Sequence, residues 1–177
     1  MPRVRRREAD AERRARRAGV EDPQVVLDAA LRFLEARQRS TAEVRRRLTS
    51  AGYRVDLVDG AIGRLTELGM LDDEAFARAW LDSRDRARPR GEHALRRELG
   101  MKGIGREIVD EALEEREAAT PDAEADAARR LLARHARSLD RIADPRARRQ
   151  RAYSLLARSG FDSDTATASI AEMLRPG

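Results

Sequence analysis

Residues 44–62 read VRRRLTSAGYRVDLVDGAI, residues 95–113 read LRRELGMKGIGREIVDEAL, and residues 152–170 read AYSLLARSGFDSDTATASI. Laid over one another, the three stretches agree at five positions. Leu48, Leu99 and Leu156 coincide, then Gly52, Gly103 and Gly160, then the apolar residues Tyr53, Ile104 and Phe161. Val58, Val109 and Ala166 follow, and Ile62, Leu113 and Ile170 close the match. The copies lie 51 and then 57 residues apart. A repeat of that length is one supersecondary unit that buries its apolar faces together with its neighbours.

Each copy extends into a unit of three helices. In the first, Val26, Ala30, Phe33 and Leu34 mark one apolar face, Val44, Leu48 and Ala51 a second, and Val55, Val58, Ile62 and Leu65 a third. The spacing of three or four residues is that of a helix with one buried stripe. Ser40 and Glu43 in STAE form a capping box at the start of the second helix. Gly91 takes the Ser40 position in the second unit, where glycine is tolerated, and Asp144 followed by Pro145 opens the matching helix of the third. The glycines at 52, 103 and 160 stand where the second helix must stop, because glycine adopts the left-handed conformation at little cost. No strand pattern is present. The expected architecture is all-α, with three tandem three-helix, helix-turn-helix-like repeats over 23–70, 71–118 and 119–177 forming an elongated, curved body. EREAATPDAEAD (115–126) carries the link between the second and third repeats.

Composition agrees. Charged residues make up 39% and aromatic residues 3% of the 177, so the core must come from Leu, Val, Ile and Ala beneath a charged exterior. Cysteine is absent, which excludes disulfides and thiolate chemistry. No apolar run reaches the length of a membrane span and no signal-peptide core follows the basic start, so a cytoplasmic location is expected. The net charge of +5 is matched by residues 1–20 alone, where eight arginines face Glu8, Asp10 and Glu12. This block, RVRRREADAERRARRA (3–18), reads as a basic, flexible arm over 1–22. Its arginines, Arg5, Arg6 and Arg7 among them, suit phosphate backbones through counterion release. The arm is expected to add affinity without contributing to folding.

GMLDDEAFARAW (69–80) poses the sharpest chemical question, because Asp72 and Asp73 stand side by side. A metal site needs further ligands, and a general acid–base pair needs a pocket; neither is recognisable in the sequence. An aspartate ahead of a helix accepts hydrogen bonds from the free amides and favours the positive end of the dipole, which accounts for both as caps. Phe76, Ala79 and Trp80 then form the inward face of the helix. His93 and His135, the only histidines, carry no zinc spacing and no G-x-S-x-G elbow accompanies them. GMKGIG (100–105) lacks the pattern of a phosphate loop and falls on a repeat turn. The sequence therefore points to no catalytic residue, metal or cofactor, and to a protein that is not an enzyme.

These residues resemble the RecX family, the bacterial regulators of the RecA recombinase. The family's Arg-x-Arg-Ser-x-x-Glu-Leu run is here RQRSTAEV (37–44), with Val44 in place of leucine. Its glycine, two apolar residues, Asp-Asp, Phe-Ala and an aromatic are GMLDDEAFARAW, followed by Gly91, Glu98–Leu99 and Gly103–Ile104. LLARSGF (155–161) is similar to the more variable C-terminal repeat. The resemblance covers 25–174. It implies a non-catalytic monomer that binds in the groove of a RecA filament on DNA and inhibits its ATPase and strand exchange, with single-stranded and double-stranded DNA as further partners.

Arginines recur with the repeat. Arg37, Arg39, Arg45 and Arg46 of the first unit align with Arg88, Arg90, Arg96 and Arg97 of the second. In the third, Arg146, Arg148, Arg149 and Arg151 fall in the same region but out of register. A solvated helix face explains such residues as readily as a basic track does, since exposed ion pairs contribute little. Recurrence with the repeat favours the track. A sequence-specific helix-turn-helix DNA reader is a rival, but its recognition helix would be GREIVDEALEER (105–116), which carries Glu107, Asp110, Glu111, Glu114 and Glu115. A helical adaptor for another acidic partner is the second rival.

Overall fold

The computed structural model describes the backbone of residues 2–174 and the side chains of residues 8–174. Among these residues there are ten helices and no strand. α1 (Pro2–Ala18) precedes three triplets: α2 (Pro23–Leu34), α3 (Thr41–Ala51) and α4 (Val55–Glu67); α5 (Asp73–Ala87), α6 (Glu92–Lys102) and α7 (Arg106–Ala119); α8 (Ala123–Asp140), α9 (Pro145–Arg158) and α10 (Ser163–Met173). The chain divides into two compact units, Met1–Phe76 and Ala77–Gly177, with the boundary inside α5.

In the first unit Val26 and Ala30 of α2, Val44 and Leu48 of α3, and Val58, Ile62 and Leu65 of α4 form one buried core with Leu71. Ser40 and Glu43 make the capping box, and Gly52 ends α3 at φ +103°. Val55 departs from the expected pattern: at 60% exposed it opens α4 outside the core. Phe33 is only partly buried, with the guanidinium of Arg39 4.2 Å and that of Arg47 5.7 Å from its ring centre.

The arm is also different from a free tail. Residues Pro2–Ala18 are helical, and the C-terminal part of α1 lies against the end of α3. Arg17 donates to the Ala51 carbonyl at 3.3 Å and lies 5.6 Å from the Tyr53 ring centre. A Cβ on Gly52 would stand 2.7 Å from the Arg14 carbonyl oxygen. The glycine that lets α3 stop therefore also lets α1 approach, and this part of the arm belongs to the fold.

The paired aspartates have separate partners. Asp72 accepts from Ala75 N–H at 2.9 Å and caps α5, its own helix. Asp73 accepts from Thr41 N–H at 2.8 Å and so caps α3 of the preceding triplet. Both are caps, but of two helices. Beyond them, Phe76, Ala77 and Leu81 are buried, whereas Ala79 is exposed and Trp80 is half-buried. The inward face of α5 is thus turned by one residue from the expected Phe76, Ala79, Trp80 stripe. Trp80 lies beneath Arg84, 4.1 Å from its centroid, and donates from Nε1 to Glu98 at 3.1 Å.

In the second unit the start of α6 meets the turn between α9 and α10. Gly91 N–H donates to the Ser159 carbonyl at 3.0 Å and His93 N–H to the Gly160 carbonyl at 3.2 Å. Glu92 N–H donates to both oxygens of Glu124 at 3.0 and 3.1 Å. Amides that a helix start leaves without intrahelical partners are satisfied by the third triplet. Asp73 on Thr41 and Glu124 on Glu92 are the same device used twice: an acid opening one triplet caps the second helix of the triplet before it.

Burial pushes the Glu124 carboxyl up to about 7, against the lowering effects of the Glu92 amide and of Arg116, whose guanidinium is 3.8 Å away. Burial also opposes the Arg116 charge, but the hydrogen bonds to Asp85 at 2.8 and 2.9 Å and the neighbouring carboxylates more than offset it, and its pKa is raised. Arg116 is thus committed chiefly to Asp85. Because folding raises the Glu124 pKa, the folded state binds the extra proton. This contribution is fully present below the ordinary carboxyl range and is lost as pH rises toward about 7. Glu124→Gln is therefore expected to raise stability at pH 8 by on the order of 1–3 kcal/mol and to change it little near pH 4, read from denaturant unfolding at both pH values.

Candidate partner-binding surface

The second helix of each triplet carries the arginines expected to make contacts, and the structure sorts them. Arg45 of α3 pairs with Asp59 of α4, and Arg96 of α6 pairs with Asp110 of α7, the same two repeat positions in both triplets. Arg96 also holds Glu92 at 2.6 Å. These two arginines bridge the second helix to the third, and the acids of the third helix serve as their partners. Arg37 pairs with Glu43 at 2.9 Å, and Arg90 lies 3.5 Å from Glu98. Arg39 is half-buried on Phe33. Arg148 donates twice to the Ile142 carbonyl, at 3.0 and 2.9 Å, holding the α8–α9 loop.

The others face solvent. Arg46 is exposed on α3. Arg88, Arg97, Arg149 and Arg151 are exposed, and their side chains make no hydrogen bond or ion pair among the described residues. Arg5, Arg6 and Arg7 lie outside the described side chains. Arg158, exposed and likewise without a side-chain partner among the described residues, was not singled out from sequence, because it lies at the end of α9, outside the aligned arginine positions. Its signal was the composition of α9: Pro145–Arg158 holds five arginines and no acid, whereas α3 and α6 each contain glutamate.

A cleft of about 690 Å³ lies in the second unit among α5, α7 and the start of α8. Five of its charged side chains are paired: Arg78 with Glu115 at 3.5 Å, Arg116 with Asp85 at 2.8 Å, and Arg130 with Asp85 at 3.4 Å; Asp82 and Arg86 also line it. Ion pairs of this kind hold helices together. No group of three or more His, Cys, Asp or Glu suited to a metal occurs among the described residues. No described helix is long and apolar enough to cross a membrane.

A family model for the first three-helix domain of RecX matches residues 27–65, and one for the second three-helix domain matches 72–113. The "Regulatory protein RecX" of Prosthecochloris aestuarii is 33% identical over 153 residues, spanning 86% of this chain and 96% of the relative. The chain belongs to the RecX family. The Regulatory protein RecX of Deinococcus radiodurans is 34% identical over 174 residues, 96% of this chain and 80% of that one. The Mycolicibacterium vanbaalenii relative is 36% identical over 80% of each chain. The fold is shared with a crystal structure of RecX from Lactobacillus salivarius, at a TM-score of 0.76 over 86% of this chain and 97% of that chain, with 22% identity. The RecX family models end at 113, so α8, α9 and α10 rest on the full-length relatives and the fold match.

Proposed function

We propose that this chain is a non-catalytic modulator of the RecA recombinase. It binds in the groove of the RecA–single-stranded DNA filament and lowers ATPase and strand-exchange activity. Family membership supports RecA as the partner. The observation that carries the contact surface is the set of exposed arginines on α6 and α9, Arg97, Arg149 and Arg151, whose side chains have no partner among the described residues. Arginine's planar fork suits both carboxylates and phosphates, the two anions such a filament offers. The basic arm adds to the same attraction.

A non-catalytic role is supported by the cleft, where Arg78, Arg116 and Arg130 are engaged with Glu115 and Asp85. A helix-turn-helix DNA reader is disfavoured because the third helices expose acids, Asp56 on α4 and Glu107, Glu111 and Glu114 on α7, which phosphates would repel. The test is a pull-down of RecA by the tagged chain, with and without single-stranded DNA. Retention of RecA that rises when the filament forms supports the reading. Retention of DNA alone, with RecA indifferent, would contradict it.

A further inference from the structure

Tyr153 and Thr167 occupy, in the third triplet, the two repeat positions held by Arg45 and Asp59 in the first and by Arg96 and Asp110 in the second. At those positions an ion pair links α3 to α4 and α6 to α7, whereas α9 and α10 carry no charge there and border a groove of about 330 Å³. It is lined by Arg149, Gln150, Tyr153, Thr167, Ile170 and Ala171. One guanidinium is the only charge among its described lining residues. Tyr153 is 37% exposed, Ile170 forms part of the floor at 2%, and Thr167 and Ala171 face solvent.

Arg149 lines the groove without a side-chain partner among the described residues; elsewhere on α9, Arg146, Arg151 and Arg158 also have none, and the helix has no acid to neutralise them. The acids of α10 are occupied elsewhere: Glu172 pairs with Arg129 at 3.1 Å, and Asp162 and Asp164 are engaged at the start of that helix.

We propose that the α9–α10 groove receives an apolar side chain carried on an acidic segment of a partner protein, with Arg149 holding a flanking carboxylate and the positive charge of α9 attracting the segment. The juxtaposition of an apolar slot with the Arg149 guanidinium, on a helix that carries no acid, is the pattern of helix or strand recognition by an anchor residue. A nucleobase is a poorer fit, because single-strand binding sites offer successive aromatic platforms and this floor is aliphatic with one ring. The size, at the lower end of ligand pockets, suits one anchor. The inference rests on the reading of the second helices as the partner face, but not on RecA being the partner.

The test uses the full chain and fluorescein-labelled synthetic peptides made of Asp and Glu, one with a central leucine and one with serine in its place. A thymidine oligonucleotide of similar charge is the third probe. The leucine peptide is expected to bind about tenfold more tightly than the serine peptide, a difference within the range for burying one such side chain. Ala171→Trp and, separately, Thr167→Phe fill the groove from exposed positions and should each erase that preference; Arg149→Gln should weaken both peptides alike. Circular dichroism checks that each variant keeps its helices. Equal binding of the two peptides would overturn the proposal, as would a preference that survives both groove-filling variants. If the oligonucleotide is the ligand that loses affinity in those variants, the groove takes a base and the proposal fails. None of these measurements contains RecA, so failure here is distinct from failure of the filament reading.

Discussion

Gly91→Ala is expected to destabilise the second compact unit by about 1–3 kcal/mol, while Gly100→Ala, nine residues later in the same helix region, stabilises by up to about 1 kcal/mol. At Gly91 φ is −75°, so the backbone itself accepts alanine. The added Cβ would stand 2.2 Å from the Phe161 nitrogen and 2.3 Å from the Gly160 carbonyl carbon and oxygen. These are backbone atoms of the α9–α10 turn, held there by the hydrogen bond from Gly91 N–H to Ser159 and that from His93 N–H to Gly160. Relief requires α6 and the turn to separate, which strains both hydrogen bonds. Gly100 has nothing within 4 Å of a new Cβ, so alanine there gains helix propensity and loses unfolded-state freedom. Thermal unfolding of the two variants should move in opposite directions, with the Gly91 loss amounting to roughly 4–8 °C per kcal/mol for a unit of this size. A Gly91→Ala protein that melts with the wild type would remove the close approach from the account.

Arg97→Glu with Arg151→Glu is expected to weaken binding to the RecA filament about tenfold or more. Both side chains are exposed and unpaired among the described residues, one on α6 and one on α9. Each would lose a charge-assisted hydrogen bond and gain repulsion from the same anion, and about 1.4 kcal/mol in total already gives tenfold. The pair is chosen over Arg45 and Arg96 because those are bound to Asp59 and Asp110, so reversing them would set like charges against each other within the fold. Glu111→Gln on α7 is the control and should leave binding unchanged, because that helix is not assigned to the contact face. A folded double variant that binds as well as the wild type would reduce the arginines to a solvated surface.

The triplets were legible because each depends on local signals that recur. Leu48, Leu99 and Leu156 are all at most 2% exposed, and Gly52, Gly103 and Gly160 are all left-handed, at φ +103°, +83° and +88°. The Ser40 capping box and the Asp144–Pro145 start are written within a few residues of the helices they open. What escaped was long-range. Gly91 read as a tolerated cap because nothing local reveals that Gly160 will lie against it. Asp73 read as a cap of its own helix, since an amide 32 positions earlier leaves no mark nearby. The inward face of α5 was misphased because Trp80, the largest apolar residue in the stretch, has a polar edge that is drawn to Glu98 and a face covered by Arg84. The arginines divided in the same way. Their recurrence was visible, but which of them are spent on Asp59 and Asp110 depends on how the second and third helices cross.

The central claim is that this chain acts on RecA by occupying its filament, and RecA's DNA-dependent ATPase, titrated with the chain at fixed salt, tests it most directly. Inhibition that saturates with added protein, and that shifts to about tenfold higher concentration for the Arg97→Glu, Arg151→Glu variant, is the predicted result. An ATPase rate unmoved by saturating wild-type protein would contradict it.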